Sequence, residues 1–289
     1  MTYELFIGDR SFSSWSLRGW LMFANFDIPV KTHMLGLYSG TLAKELAPLA
    51  PARLVPVMRT ADGVIIGDTM AIAETLAEAH PVAGHWPAAT DARALARWLC
   101  AEMHSGFEAL RADCPMTLRV CLKGYQPSDP VRKDLARLET LWAHAQDRFG
   151  ADGPWLFGKY SLADAFYAPA AMRIAAYGLP VSDRTRAYVD CHLADKATRR
   201  WRAMGQTVSY TPEPYSFDLE HVAWPGPTPL EATITDGPSV NTACPYSDLP
   251  VTHFAAIGGN TYGFCNAFCR DKTIADPAAW PKFMDIYLS

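Results

Sequence analysis

Ser11, Ser13, Ser14 and Ser16 crowd the stretch between the apolar run Tyr3–Ile7 and an amphipathic segment from Leu17 to Phe26. A strand, the turn Gly8-Asp9-Arg10 and a helix fit that pattern, which puts serine hydroxyls at a helix N-terminus. One hydroxyl there can cap the helix by accepting a bond from a free backbone N–H. A hydroxyl can also donate to a bound thiolate, with the helix dipole adding positive potential. A hydrogen bond to a charged group contributes roughly 1.5–3 kcal/mol. One pKa unit is about 1.4 kcal/mol, so a thiol near 8.5 would fall to roughly 6.5–7.5 and become a nucleophile at neutral pH.

A second constellation lies near the other end. Cys244-Pro245-Tyr246-Ser247 precedes the strand-like Val251–Ile257, the turn Gly258-Gly259-Asn260 and Thr261–Phe264; Cys265 and Cys269 follow, one helical turn apart. A cysteine before a hairpin and two on one helical turn is how a small zinc knuckle brings thiolates to one point. The remaining cysteines, Cys100, Cys114, Cys121 and Cys191, are scattered, and seven is an odd count that argues against a secreted disulfide framework. None occurs before residue 100, which excludes a redox CxxC at the first helix.

The elements that must position these groups follow from periodicity. At 289 residues and 49% apolar composition the chain can bury a substantial core over two or three domains. A net charge of −4 without any Lys/Arg run gives no footprint for nucleic acid. No apolar run approaches the roughly 18–20 residues of a membrane span, and no basic flank with an apolar h-region opens the chain, so a cytoplasmic protein is expected. Strand 28–34, a short helix 41–49, a hairpin of 57–59 and 64–66 around Asp62-Gly63, and a helix 70–79 complete an expected thioredoxin-like domain over 1–82. Val55-Pro56 opens its hairpin, where proline is an edge residue or a turn held in a special conformation such as cis. Asp68-Thr69 caps its last helix, and free N–H groups at such an N-terminus can receive a ligand carboxylate. From 90 to 208 an all-helical domain is expected, with helices 93–112, 130–149, 161–177 and 184–204, the last broken at Asp195. Ser161-Leu162-Ala163-Asp164 fits a capping box. Prolines at 212, 214, 225, 227, 229 and 238 mark 209–240 as a linker or irregular wrap before a small module over 241–289.

The residues over 1–207 resemble the glutathione transferases, among them the serine-type, zeta-like classes and many bacterial members. The resemblance rests on the serine pair before Arg18, on Val55-Pro56, on Asp68-Thr69 and on the Ser161–Asp164 box. It implies an α/β thioredoxin-like domain followed by an all-α bundle, and an enzyme whose serine hydroxyl holds glutathione as thiolate for attack on a small electrophile. Position by position, Ser13 would stabilise the thiolate and Ser14 would be a second donor or cap, both catalytic. Trp15 stands beside them where zeta enzymes have cysteine. The Val55 backbone would pair with the cysteinyl part of glutathione beside a cis Pro56. Asp68, where the family more often has glutamate, and Thr69 would hold the γ-glutamyl end. The second substrate is expected against the helical domain, where His104, Phe107 and Arg111 lie on one helix and Tyr167 and Arg173 on another. His104 is a candidate general acid/base, and the arginines suit an anionic substrate through bidentate contact. The resemblance also implies a homodimer. It leaves open a glutathione-dependent isomerase or dehalogenase, and a non-catalytic glutathione-binding scaffold.

Residues 242–284 resemble the YHS/TRASH type of cysteine module, through Cys244, the glycine turn, Tyr262, Phe264-Cys265, Cys269, Asp276-Pro277 and Trp280. That likeness makes Cys244, Cys265 and Cys269 candidate ligands for zinc or another thiophilic metal. The expectation for the whole tail is a small irregular α+β extension.

Overall fold

Strand β1 (Tyr3–Ile7) alternates buried Tyr3, Leu5 and Ile7 with half-covered neighbours, as a strand with one face on a core requires. In this computed structural model, which describes residues 2–289, β1 pairs in parallel with β2 (Val30–Met34) after a crossover through α1 (Ser14–Ala24). A short helix α2 (Leu42–Leu46) runs on as a 3₁₀ turn over Ala47–Leu49, and the hairpin β3 (Val57–Arg59) and β4 (Ile65–Ile66) follows. The sheet order is β2-β1-β3-β4, with β1–β3 and β3–β4 antiparallel. Helix α3 (Thr69–Ala79) packs beside α1. Gly19 on α1 permits close approach to the hairpin entry, since a Cβ there would lie 2.9 Å from Pro56 Cγ.

The helical part starts with α4 (Thr90–Ser105) and α5 (Glu108–Asp113). The single helix expected over 93–112 is broken at Gly106-Phe107, where Phe107 takes a left-handed φ of 58° and turns its side chain into the core. Strand β5 (Cys121–Lys123) and α6 (Asp129–Phe149) precede α7 (Leu162–Ala176), all of whose residues are buried. A helix apolar on every side belongs at the centre of a bundle, and α7 packs against both α1 and α4. The capping box forms: Asp164 accepts from Ser161 N at 2.8 Å, and also from Leu156 N and the Tyr188 hydroxyl. Helix α8 (Asp183–Ala194) and α9 (Lys196–Gly205) divide at Asp195, whose side chain caps α9 through Thr198 N.

Two compact units result, and their boundaries differ from the sequence reading. The first comprises 2–192 and 211–225; the second comprises 193–210 and 226–289. The proline-rich stretch expected to link domains is partly ordered into strands. β6 (Glu220–Val222) pairs antiparallel with β5, and β7 (Ala232–Thr235) joins β8 (His253–Ile257) and β9 (Asn260–Phe264) in an antiparallel sheet of order β7-β8-β9. In the second unit α9 packs against α10 (Ala267–Ala275) and the 3₁₀ turn Pro277–Ala279, with a bidentate Arg199–Asp276 pair at 2.8 and 2.7 Å. Helix α11 (Pro281–Tyr287) contributes Phe283 to a core shared with Ile257, Tyr262, Phe264 and Trp280. Among the described residues no helix is long and apolar enough to cross a membrane.

Candidate active site

The chain enters α1 through a turn in which Ser13 N donates to Asp9 O at 2.7 Å. Ser13 is the N-cap: its hydroxyl oxygen accepts from Ser16 N, and its proton goes to Ser16 Oγ at 2.8 Å. Ser16 Oγ in turn accepts from Gly8 N, so Ser16 ties β1 to the start of α1. Ser13 is buried, whereas Ser14 is half-buried and lines a cavity. Both serines therefore stand at the helix end, one turned into the capping network and one toward open space.

The Val55–Pro56 peptide is cis and stands two residues ahead of the register at which Phe6 on β1 faces Val57 on β3. Asp68 caps α3 by accepting from Met70 N and Ala71 N at 2.8 and 3.1 Å, and its side chain stays about half exposed at 54%. Thr69 is buried. His104 belongs to this pole: its Nε2 lies 3.3 Å from Asp68 Oδ2, its Nδ1 3.4 Å from Thr69 Oγ1, and its ring meets Trp15 edge-on at 5.1 Å. The sequence reading put His104 with the second substrate; the turn of α4 that carries it faces α3 instead.

The cavity, about 370 Å³, is lined by Ser14, Trp15, Glu108, Arg111, Arg173 and Tyr215 among others. Arg111 and Arg173 thus line one cavity together with Ser14 and Trp15. Phe107 and Tyr167 do not: Phe107 is buried at the α4–α5 break, and Tyr167 is buried against Trp142 with its hydroxyl donating to Leu99 O. Positive charge dominates here. The guanidiniums of Arg18 and Arg111 lie over the Trp15 ring at 4.3 and 5.0 Å. Arg173 Nε donates to Cys114 O, and Arg18 Nε to Phe166 O. Burial, with neighbouring arginines as a smaller cause, lowers Arg18 to about 9 and Arg173 to about 10, so both stay charged at pH 7. Among the described residues, none of Arg18, Arg111 and Arg173 has a carboxylate within ion-pair distance, and Arg18 Nη1 is buried without a partner. An anion entering the cavity would meet Arg111 and Arg173, neither of them paired with a carboxylate, on a wall that also carries Glu108. Sequence reasoning missed Tyr215, which lies in the proline-rich stretch and carries no local signal.

Residues 12–79 match the family model described as the glutathione S-transferase N-terminal domain. The fold is that of the glutathione transferases. A glutathione transferase homologue from Burkholderia gl BGR1, solved with bound glutathione, is 21% identical with a TM-score of 0.54, covering 72% of this chain and all of its own. A glutathione transferase from Methylococcus capsulatus strain Bath is 21% identical with a TM-score of 0.53, over 71% of this chain and all of its own. Omega 2S from Trametes versicolor, in complex with 2,4-dihydroxybenzophenone, is 19% identical with a TM-score of 0.51, over 69% and 93%. No curated protein matches the chain.

The glutathione transferase N-terminal match ends well before the cysteines. Cys244, Cys265 and Cys269 come together, their sulfur atoms all within 4.8 Å of one another. Burial alone would raise the Cys244 thiol, but amide bonds from Cys265 and Tyr246 bring it below its ordinary value. Burial pushes Cys269 up to about 12, against the opposing pull of the Lys272 ammonium. Cys265 is the more accessible of the three and accepts from Ser247 Oγ and Asn266 Nδ2, both at 3.3 Å. His253, a conceivable fourth ligand, makes its contact with Thr252 Oγ1 and is not part of the cluster.

Proposed function

We propose that this protein is a glutathione transferase of the serine type, which receives the glutathione thiolate at the N-terminus of α1. The observation that carries the reading is the pair Ser13-Ser14 at that helix end, with Ser14 lining a cavity that Arg111 and Arg173 also line. The matched N-terminal domain over 12–79 and the cis Val55–Pro56 peptide support it. Glutathione loses its thiol proton to solvent, and the thiolate is stabilised by the Ser14 hydroxyl and the helix dipole, while Ser13, whose proton goes to Ser16 Oγ, holds the helix start in place. The sulfur then attacks an electrophilic carbon, forming a C–S bond as the leaving group departs or an adjacent carbonyl takes up the electron pair. Val55 would pair with the cysteinyl backbone, Asp68 with the ammonium and Thr69 with the α-carboxylate, His104 lying beside both. The family likeness extends the proposal to a cytoplasmic homodimer organised as thioredoxin-like domain, helical domain and cysteine module.

Arg111 and Arg173 favour an anionic electrophile, which keeps a zeta-like isomerase or dehalogenase within the same reading. A second activity belongs to the tail. Three sulfurs within 4.8 Å, one thiol held below its usual pKa, fit a thiophilic ion such as copper(I), or zinc with one further ligand. Cys244, Cys265 and Cys269 would hold it.

Turnover of a chloronitrobenzoate with glutathione tests the first reading. Ser14→Ala is expected to lower kcat/KM roughly 10- to 100-fold while the glutathione Kd stays within about twofold; unchanged turnover in both Ser13→Ala and Ser14→Ala contradicts it. Metal analysis of protein purified without chelator tests the second: close to one zinc or copper per chain is expected, and none in the triple Cys→Ser variant. A metal-free wild type that also fails to take up added zinc or copper(I) would overturn it.

A further inference from the structure

Residues 211–225 contain prolines at 212, 214 and 225, yet the segment is fastened to the first unit along its length. β6 pairs with β5, with Cys121 opposite Val222 and Lys123 opposite Glu220. The Phe217 ring stands edge-on to Tyr177 at 5.5 Å. Tyr215 packs on Phe12 at 4.4 Å between ring centroids and donates its hydroxyl to Phe12 O at 3.3 Å. That bond uses its only proton, so the 2.6 Å contact with Tyr38 has the Tyr38 hydroxyl as donor. Burial raises both phenols above their ordinary value, and both stay protonated at neutral pH.

Phe12 immediately precedes Ser13. Its carbonyl belongs to the turn that delivers both serines to α1, and the residue lines the same cavity as Ser14, Trp15, Arg111 and Arg173. Tyr215 is thus joined to the serine-bearing turn by a hydrogen bond and a ring contact, and it also forms part of the cavity wall. Nothing in the 12–79 domain match supplies this residue; it comes from a segment beyond the helical domain.

We infer that Tyr215 is a positioning residue for the Phe12–Ser14 turn and a wall of the second-substrate cavity that sets which electrophile fits, an inference that rests on the transferase function proposed above. The hydroxyl serves the thiolate by fixing the backbone beside Ser13. The ring serves the electrophile as part of the wall that Arg111 and Arg173 also line, so planar, carboxylated electrophiles are the class selected.

The two roles separate in two variants. Tyr215→Phe keeps the ring and removes the hydroxyl; Tyr215→Ala removes both. Full-length wild type and both variants are compared in three ways: glutathione affinity by calorimetry, the pH profile of bound-thiolate absorbance, and kinetics with a chloronitrobenzoate and its methyl ester. Tyr215→Phe is expected to raise the bound thiol's pKa by roughly half a unit to one unit, the size of one hydrogen bond, with KM within about twofold. Tyr215→Ala is expected, in addition, to raise KM for the carboxylate at least about fivefold and to narrow its preference over the ester, with glutathione Kd unchanged. Hydrogen exchange of the 11–17 amides is read in the same samples and should quicken in Tyr215→Phe. If wild type binds no glutathione, the transferase reading falls, and unchanged exchange in both variants then removes the positioning role as well. If wild type binds glutathione and both variants keep its pH profile and KM, the role of Tyr215 is overturned and the transferase reading stands.

Discussion

Arg111 and Arg173 differ in what holds them. Arg173 is buried and its Nε donates to the Cys114 carbonyl, so removing it would leave that acceptor unpaired and mix a stability loss into any kinetic effect. Arg111 sits over the Trp15 ring, is less enclosed, and donates to Gly106 O at 3.2 Å. It gives the cleaner experiment. Arg111→Gln should raise KM for a chloronitrobenzoate about tenfold while leaving the methyl ester's KM within about twofold, because a charge-assisted bond contributes roughly 1.5–3 kcal/mol and the ester has no charge to lose. Steady-state kinetics on the two substrates checks this, and equal effects on both would remove the anion from the account. Burial of an arginine without a carboxylate partner is costly, and that cost has a use if the missing anion arrives with the substrate.

Helix α7 is the element on which the bundle is arranged, and its start depends on one carboxylate. Asp164 accepts from Ser161 N, Ser161 Oγ, Leu156 N and the Tyr188 hydroxyl, while burial raises it to about 6. Asp164→Ala would orphan several buried donors, each worth roughly 1–3 kcal/mol, so a loss of at least about 2 kcal/mol is expected from urea midpoints. A change below half a kcal/mol would show the network to be dispensable. This box was legible in sequence because its signal is local: a serine, three residues, an acid, then an apolar run. The Asp62-Gly63 hairpin and the special Val55–Pro56 peptide were legible for the same reason, as was the break at Asp195, which caps α9. The break at Gly106-Phe107 was not, since apolar spacing runs straight through it and only the packing of Phe107 explains a left-handed residue. Strands β5 and β6 are three residues each and find one another across about a hundred positions, which no window of sequence displays. The site divides likewise: Ser14 at a helix start and the three cysteines stand out in local pattern, Arg111 and Arg173 are placed by the family resemblance, and the position of His104 beside Asp68, the burial of Tyr167 and the arrival of Tyr215 are tertiary facts.

At the scale of the molecule, two buried groups set opposing dependences on pH. His192 is enclosed by Trp155 and Tyr188 with both ring nitrogens unpartnered among the described residues, and burial lowers its pKa from 6.5 to about 3. The unfolded chain therefore binds the extra proton between those values, so this term favours the fold at neutral pH and is lost as pH falls from 6.5 toward 3. Asp164 runs the other way: with its pKa raised from 3.8 to about 6, the folded state holds the proton, and its term declines as pH rises through that window. Between about pH 4 and 6 the two slopes oppose. Replacing His192 by Leu removes one, and the variant should gain stability on acidification from pH 6 toward 4, where wild type stays flat or loses it. Urea midpoints across that range decide it, and parallel profiles would show that His192 is not the acid-sensitive group.

The central claim is that the serines at the start of α1 hold glutathione as its thiolate. It is tested most directly by following thiolate absorbance of bound glutathione across pH 5–9 in wild type, Ser13→Ala and Ser14→Ala. The account predicts that wild type brings the bound thiol to roughly 6.5–7.5 and that at least one substitution, Ser14→Ala foremost, returns it by one unit or more toward 8.5. Glutathione that binds with an unshifted thiol, or a shift that survives both substitutions, would contradict it.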